Sequence, residues 1–101
     1  MQSTVTLINV FVVSRGKEDE FIQLWNETAH LMKQEPGFID TKLHRTLDAE
    51  ARFAFINIAH WESQKTWQQA IVSNPELQDW WRQIASIAEA NPALYKVEVQ
   101  Y

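Results

Sequence analysis

The sequence predicts an α+β fold in which one four-stranded antiparallel sheet carries helices on one face. Segments with the alternation or β-branched composition of strands are interrupted by segments with helical periodicity, in the order β-α-β-β-α(α)-β. Glycine and proline are scarce, at two and three residues, and they fall where element boundaries are expected. A length of 101 residues is usual for one domain. We therefore predict a single domain over residues 1–101 with the split βαβ, or ferredoxin-like, topology.

The first half of the chain supplies a strand, a helix and a second strand. Residues 4–13 are apolar on both alternating faces, which predicts a strand buried on two sides. Residues 17–35 predict an amphipathic helix with acidic residues at its positive N-terminal end. Its apolar stripe is formed by Phe21, Leu24, Trp25, Leu31 and Met32. Residues 38–47 alternate, which predicts a half-exposed strand. The less polar face of that strand is formed by Ile39, Thr41 and Leu43.

The second half supplies a buried strand, two helical segments and a last strand. Residues 53–61 are again apolar on both faces, and Ser63 is a suitable N-cap for a short helix. Asn74 followed by Pro75 and an acidic residue predicts the start of the last helix. The apolar stripe of that helix is Leu77, Trp80, Trp81, Ile84 and Ala88. Residues 94–101 alternate, which predicts the final strand.

The first and third predicted strands carry more apolar surface than one helical layer can cover. In the third strand the two faces are Phe53, Phe55 and Ala59 against Ala54, Ile56 and Ile58. Helices cover one face of such a sheet, and no segment of the sequence is left over for the other face. A second copy of the chain is the simplest cover, with the two sheets packed face to face. We therefore predict a homodimer.

Composition and charge exclude several classes of function. The formal charge of -4 and the pI near 5.2 argue against nucleic acid or an anionic membrane surface as a partner. The absence of cysteine leaves no disulfide, thiolate nucleophile or cysteine metal site. No apolar run approaches the ~18 residues of a spanning helix, and no basic leader precedes the first strand, so we expect a cytoplasmic protein. At this length we expect one core without a large internal cavity.

The familiar catalytic motifs are missing from the sequence. It contains no Gly-rich phosphate loop, no HExxH, no nucleophile elbow and no His/Asp/Glu cluster at ligand spacing. We accordingly predict no metal site and no bound cofactor. Of the three histidines, His30 and His44 fall on polar faces and are expected in solvent. His60 is expected to have a structural role in the core of the dimer or at its rim.

The third predicted strand contains an amide that interrupts an apolar run. A buried amide costs free energy unless it is hydrogen-bonded. Asn57 and Trp61 share a face of this strand, so an amide and an indole N–H would stand side by side as donors in an aromatic wall. Asn9 is likewise an amide within an apolar strand, the first predicted strand, which should be adjacent to the third. The alternative is that Asn57 bonds a backbone group at a bulge while Trp61 fills the core.

Tryptophan is unusually frequent, with five residues in the chain. Trp67, Trp80 and Trp81 lie at helical spacing, which indicates either core packing or the wall of a site for an aromatic ligand. Arg82 is a candidate cation for a phenolate. Its position about 100° around the helix from Trp81 also suits a surface arginine.

Four motifs recur in one known family. They are Pro36-Gly37-Phe38-Ile39, Asn57-Ile-Ala-His-Trp61-Glu62-Ser63, Asn74-Pro75-Glu76-Leu77 and Pro92-Ala-Leu-Tyr95. With these motifs the chain resembles the antibiotic biosynthesis monooxygenase domain family over nearly its whole length. The resemblance implies a dimeric α+β barrel, in agreement with the homodimer predicted from the two-faced strands.

The chain resembles the members with different activities in that family to different extents. Its cofactor-free, quinone-forming oxygenases carry an asparagine four residues before the tryptophan of the motif and an aromatic residue six after it. Asn57, Trp61 and Trp67 match this pattern. The arginine that these enzymes use in the last helix falls on Trp81, with Arg82 one residue later.

Other branches of the family match less well. Haem-degrading members carry an asparagine in the first strand seven residues before a glycine, as Asn9 and Gly16 do here. Their axial histidine falls on Trp80 and their second-helix tryptophan on Ala70, which disfavours haem. Quinol monooxygenases and autoinducer-processing isomerases tend to carry a histidine where this chain has Glu76.

The resemblance and the residues together predict a cofactor-independent monooxygenase that oxidises an activated phenol, hydroquinone or anthrone-like small aromatic with O2. The predicted catalytic residues are Asn57 and Trp61, as donors to substrate oxygens. The predicted substrate-binding residues are Asn9, Phe55, Trp67, Trp81 and Arg82. The alternatives are a non-catalytic dimeric module that binds a small hydrophobic ligand, and a haem-binding, haem-degrading monooxygenase.

Overall fold

A computed structural model describes residues 4–101 and contains four strands and three helices. In chain order they are β1 (Val5–Val13), α1 (Glu18–Met32), β2 (Phe38–Arg45), β3 (Phe55–Trp61), α2 (Gln64–Ser73), α3 (Pro75–Ala85) and β4 (Ala88–Tyr95). The strands form one antiparallel sheet in the order β2-β3-β1-β4. The predicted ferredoxin-like α+β fold is confirmed.

Burial along the two central strands alternates residue by residue. The buried side chains of β1 and β3 all lie on one face of the sheet: Leu7, Asn9, Phe11, Phe55, Asn57, Ala59 and Trp61. The opposite face includes Ile8, Val10, Ile56 and Ile58, which are only partly buried. The shortest dimension of the chain is 16 Å, which matches one sheet plus one layer of helices.

The core has two parts, which meet at Trp81. One part is built around Trp61 and Leu77, and the other around Phe11, Phe21 and Phe55. The ring centroids of Phe11 and Phe21 are 4.8 Å apart in an edge-on arrangement, and those of Phe21 and Phe55 are also 4.8 Å apart. Trp81 packs against both parts, so α3 contacts the core at both ends of the sheet.

Local side-chain chemistry sets the starts of α2 and α3 as predicted. The Ser63 hydroxyl accepts a hydrogen bond from the Thr66 N–H while the Thr66 hydroxyl accepts from the Ser63 N–H, which is a complete capping box. Asn74 Oδ1 accepts from the Leu77 N–H at 3.1 Å, with Pro75 in the first turn. These caps satisfy helix N–H groups that have no partner within the helix.

The last strand lies earlier in the chain than the sequence predicts. The helix α3 ends at Ala85, and Ala88, which was assigned to its apolar stripe, begins β4. The sequence of β4 is rich in Ala, Glu, Asn and Pro, which are poor strand formers, so pairing with β1 overrides local preference. The last register pair is Thr6 with Tyr95, near the start of β1. The alternating residues 96–101 therefore extend past the sheet and are exposed.

One side chain of β2 is also placed differently from its prediction. A register shift between Phe38 and Asp40 turns Ile39 outward, where it is 45 % exposed. Phe38 takes the inward position and packs edge-on against Trp61, with ring centroids 5.4 Å apart. Such a bulge changes the face of the residues that precede it. Among residues 4–101, no helix has both the length and the apolar character needed to cross a membrane.

Candidate functional site

A cavity of about 490 Å³ opens between the inner face of the sheet and the three helices. This volume lies within the usual range for small-molecule sites, and it exceeds what we expected for so short a chain. Residues of the core part around Trp61 form much of its lining. Aromatic side chains also line it, among them Trp25, Trp67 and Trp81, and Trp81 packs against both parts of the core.

Two asparagines lie side by side on the floor of this cavity. Asn9 and Asn57 are direct register partners across β1 and β3, and both line the cavity. They are 3 % and 6 % exposed, so each amide is almost fully withdrawn from solvent. The predicted juxtaposition of two amides in adjacent central strands is thus present.

The orientation of the Asn9 amide is fixed by the backbone of β4. Asn9 lies opposite Pro92, which has no N–H to donate to the sheet. Instead, Asn9 Oδ1 accepts a hydrogen bond from the Asn91 N–H at 2.9 Å. Since a backbone N–H can only donate, the oxygen end of the amide must face β4. The Asn9 nitrogen has no hydrogen-bond partner among residues 4–101, and Asn9 is one of the residues that line the cavity.

The Asn57 amide is held by a side chain of the edge strand. Its Oδ1 accepts from the Thr41 hydroxyl at 2.5 Å. Its nitrogen, like that of Asn9, has no hydrogen-bond partner within residues 4–101, and Asn57 also lines the cavity. The alternative in which a backbone bulge satisfies Asn57 does not describe the structure, because β3 pairs with β1 in continuous register through this position.

Three tryptophans line the cavity with unpaired indole N–H groups. They are Trp61, Trp67 and Trp81, and no partner for any of their nitrogens occurs within residues 4–101. These nitrogens are covered by neighbouring atoms, so a ring must rotate before it can donate to a ligand. A buried, unpaired donor costs about 1–3 kcal/mol. A ligand oxygen that meets such a group therefore recovers free energy.

The other predicted substrate-binding residues are divided between this cavity and elsewhere. Arg82 lies at the rim, where its guanidinium is paired with Asp79 and is 71 % exposed. Phe55, which was predicted to form a wall, does not line this cavity and packs against Phe21 in the other part of the core. Trp80 also lies outside the cavity lining.

None of the cavity-lining residues is a carboxylic acid or a histidine. His30 is exposed on α1 and His44 is exposed on β2. His60 lies on the outer face of the sheet, where its Nδ1 is 2.6 Å from an Asp40 carboxylate oxygen. The described residues therefore offer no histidine to ligate a haem iron in this cavity, and they contain no cluster of three or more potential metal ligands. A haem does not fit the residues present.

Sequence reasoning missed the two residues that orient the amides. Thr41 was assigned to the inward face of its strand, but nothing in the sequence showed that it would stand beside Asn57. Pro92 was identified only at an element boundary and in a family motif, and Asn91 was not singled out. The proline was a signal of an irregular strand, because it cannot donate to the ladder. That signal becomes usable only once the register of β4 is known.

The comparisons agree with this fold. The family model described as antibiotic biosynthesis monooxygenase matches residues 4–83. A candidate monooxygenase from Shewanella loihica PV-4 is 34 % identical, with a TM-score of 0.81 and 99 % of each chain covered. SnoaB, a cofactor-independent oxygenase from Streptomyces nogalater, is 23 % identical, with a TM-score of 0.83 and coverage of 96 % of this chain and 95 % of SnoaB. None of the curated proteins matches this chain significantly.

Proposed function

This chain belongs to the antibiotic biosynthesis monooxygenase family, and we propose that it is a cofactor-independent monooxygenase of small, electron-rich aromatics. The substrate class is an activated phenol, hydroquinone or anthrone. The observation that carries the proposal is the pair of cavity-floor amides, Asn9 and Asn57, whose oxygens accept hydrogen bonds from the protein and whose nitrogens have no hydrogen-bond partner among residues 4–101. The cavity thus presents donors to a ligand rather than acceptors.

Free donors in a water-poor, apolar cavity favour the deprotonated form of a bound phenol. A phenolate oxygen accepts strong, charge-assisted hydrogen bonds, whereas a neutral phenol accepts weaker ones. Preorganised donors of this kind stabilise charge without having to reorient. The cavity lining contains no carboxylic acid or histidine, so acidity of the substrate, increased by these donors, provides the anion.

The reaction requires no group beyond substrate and O2. An anthrone anion transfers one electron to O2, and the resulting radical pair combines to form a C–O bond at the ring carbon. Loss of water from this peroxide leaves a carbonyl. One oxygen atom enters the product and the other leaves as water, whose two hydrogens come from the substrate. The chain binds and orients the ring, holds the phenolate and excludes solvent.

The tryptophans supply the walls in this proposal. Trp67 and Trp81 present aromatic faces for a flat ring, and Trp61 lies on the same face of β3 as Asn57, four residues further along the strand. Rotation of the Trp61 ring would bring its unpaired N–H onto a substrate oxygen as a further catalytic donor. The similarity of fold to SnoaB, a cofactor-independent oxygenase, supports chemistry without a cofactor.

Oxygen uptake tests the proposal. Chelator-treated, desalted protein is mixed with a panel of hydroxyanthrones in an oxygen electrode, and the rate above background is compared with that of Asn57→Ala. Loss of one oxyanion donor should lower the rate by about 100-fold or more. Gln83→Ala, which removes an exposed amide from α3, is the matched control and should keep the wild-type rate. Equal rates for wild type and Asn57→Ala would remove Asn57 from the mechanism.

A non-catalytic binding module is the second candidate, and the absence of a carboxylic acid or histidine from the cavity lining favours it. It predicts that a hydroxyanthraquinone quenches tryptophan fluorescence saturably while no hydroxyanthrone is consumed faster than in buffer. A haem titration followed at the Soret band tests the haem-degrading alternative. A saturable one-to-one shift would favour that alternative, and we expect none.

We also propose that the protein is a cytoplasmic homodimer. The outer face of β1 and β3, with Ile8, Val10, Ile56 and Ile58, is apolar and carries no helix among the described residues. Packing of a second sheet onto this face would remove that apolar surface from water. Light scattering at micromolar protein should give twice the chain mass of 11.8 kDa. A monomer would contradict the two-faced-strand argument.

A further inference from the structure

A second cavity continues the candidate site along the edge of the sheet. It has a volume of about 420 Å³ and shares two lining residues, Trp25 and Thr41, with the first cavity. Its other walls include Leu43 and Phe55, so it is largely apolar. The two cavities are therefore neighbours under α1, and together they define what we call the groove, which is longer than a single aromatic ring requires.

The far end of this groove carries a cation. Arg45 is the last residue of β2 and lines the second cavity. Its register partner is Phe55, and its guanidinium carbon lies 5.3 Å from the centroid of the Phe55 ring. Stacking on an aromatic face restrains the guanidinium while leaving its N–H donors at the edge free.

Arg45 has no carboxylate within 4.0 Å among residues 4–101, whereas Arg82 has one. The positive charge of Arg45 also helps to lower the pKa of the Glu18 carboxylate. Hydrogen bonds from the backbone, including one from the Gly16 N–H at 3.2 Å, are the main cause of its lowered pKa, and Arg45 contributes less. The Glu18 carboxylate is therefore held by the backbone, and the guanidinium remains available to an external anion.

The spacing between the amides and this cation suits one ligand. Phe55 precedes Asn57 by two residues on the same face of β3, which is about 7 Å along a strand. Arg45 is adjacent to Phe55 on the next strand. A fused three-ring ligand with a phenolic oxygen at Asn57 would therefore place a substituent of its distal ring near the guanidinium.

We propose that Arg45 is a specificity-determining residue that binds a carboxylate on the distal ring of a polycyclic aromatic substrate. Arginine donates two parallel hydrogen bonds to a carboxylate, which fixes both the position and the direction of the ligand. The ring bearing the phenolic oxygen lies in the first cavity, and the acid-bearing ring lies in the second. This inference rests on the proposed function, since it assumes that the first cavity binds the reacting ring.

The test compares two stable ligands that differ by one carboxylate. Chrysazin is a dihydroxyanthraquinone, and rhein is the same ring system with a carboxylate on the ring edge. Affinities are measured by quenching of tryptophan fluorescence and by the visible absorption of the ligand. Wild type should prefer rhein by about tenfold, since a charge-assisted pair is among the stronger hydrogen bonds. The preference should decrease at high salt, because Arg45 is exposed.

Two variants identify the residue responsible. Arg45→Gln should abolish the preference for rhein and leave the affinity for chrysazin unchanged. Arg52→Gln is the matched control: Arg52 also stacks on an aromatic ring, 5.3 Å from the Phe53 centroid, but it lines neither cavity. It should retain the full preference.

Each outcome bears on a different claim. If both ligands bind equally to wild type, or if Arg52→Gln loses the preference as fully as Arg45→Gln, the assignment of Arg45 is wrong while binding of the ring in the first cavity stands. If neither ligand binds, the proposed function is wrong, and this inference, which rests on it, is wrong as well.

Discussion

Substitution of the two floor asparagines by alanine should separate stability from activity. Asn9→Ala removes the acceptor of the Asn91 N–H, whose hydrogen bond to Asn9 Oδ1 is partly buried, and it leaves that N–H without this partner. An unpaired backbone donor of this kind costs about 1–3 kcal/mol. Asn57→Ala leaves only the Thr41 hydroxyl, which rotates freely and can turn toward water in the cavity. Its cost should be about 1 kcal/mol or less.

For a chain of this length, each kcal/mol corresponds to roughly 4–8 °C in Tm. Asn9→Ala should therefore lower the Tm by about 4–24 °C, and Asn57→Ala by about 8 °C at most. Thermal and urea unfolding at one fixed protein concentration measure both, because association would make the Tm depend on concentration. Both variants should lose oxygenase activity. A Tm loss in Asn57→Ala equal to or greater than that in Asn9→Ala would refute the reasoning about the hydrogen bond between Asn9 and the backbone of β4.

Three further predictions concern the frame around the site. Gly37→Ala should lower stability by about 2 kcal/mol or more, because Gly37 has a φ of 88° and a Cβ there would lie 2.4 Å from Thr66. Gly16→Ala is its control in thermal unfolding, since its φ of 84° is similar but no atom lies within 4 Å of the added Cβ. Asn74→Ala should cost about 1–2 kcal/mol through loss of the α3 N-cap, and Asn74→Ser should recover most of it in urea unfolding. Ile58→Glu should convert the dimer into a monomer in light scattering, and an unchanged mass would show that another surface is used.

The fold could be predicted because several levels of the sequence agree. Two-sided apolar strands, helix stripes and N-caps at Ser63 and Asn74 all indicate the same order of elements. The strand β4 could not be placed, because Ala88–Tyr95 has poor strand propensity and is held by its pairing with β1. Its alternating tail, residues 96–101, had the stronger local signal but lies beyond the sheet. Local pattern and tertiary pairing disagree there, and pairing determines the outcome.

Several residues of the candidate site could be identified from the sequence, but their geometry could not. Asn57, Trp61 and Asn9 stood out because amides and indoles are unusual in buried strands, and the structure places all three on the cavity. Thr41 and Arg45 were not identified, because nothing in the sequence distinguishes them from other threonines and strand-end arginines. Their roles depend on which residues lie beside them in the fold. Phe55 lines the second cavity and not the first, because residues on one strand face can serve different cavities at different distances along the strand.

The most direct test of the central claim is the pKa of a phenol bound in the first cavity. Alizarin changes colour when it ionises, so its absorption spectrum can be followed against pH in the presence of excess protein. If the amide N–H groups of Asn9 and Asn57 stabilise the phenolate, the bound dye should ionise at least one pKa unit below free alizarin, or about 1.4 kcal/mol. Asn57→Ala should reverse most of that shift. A bound dye whose pKa is unchanged or raised would contradict the account.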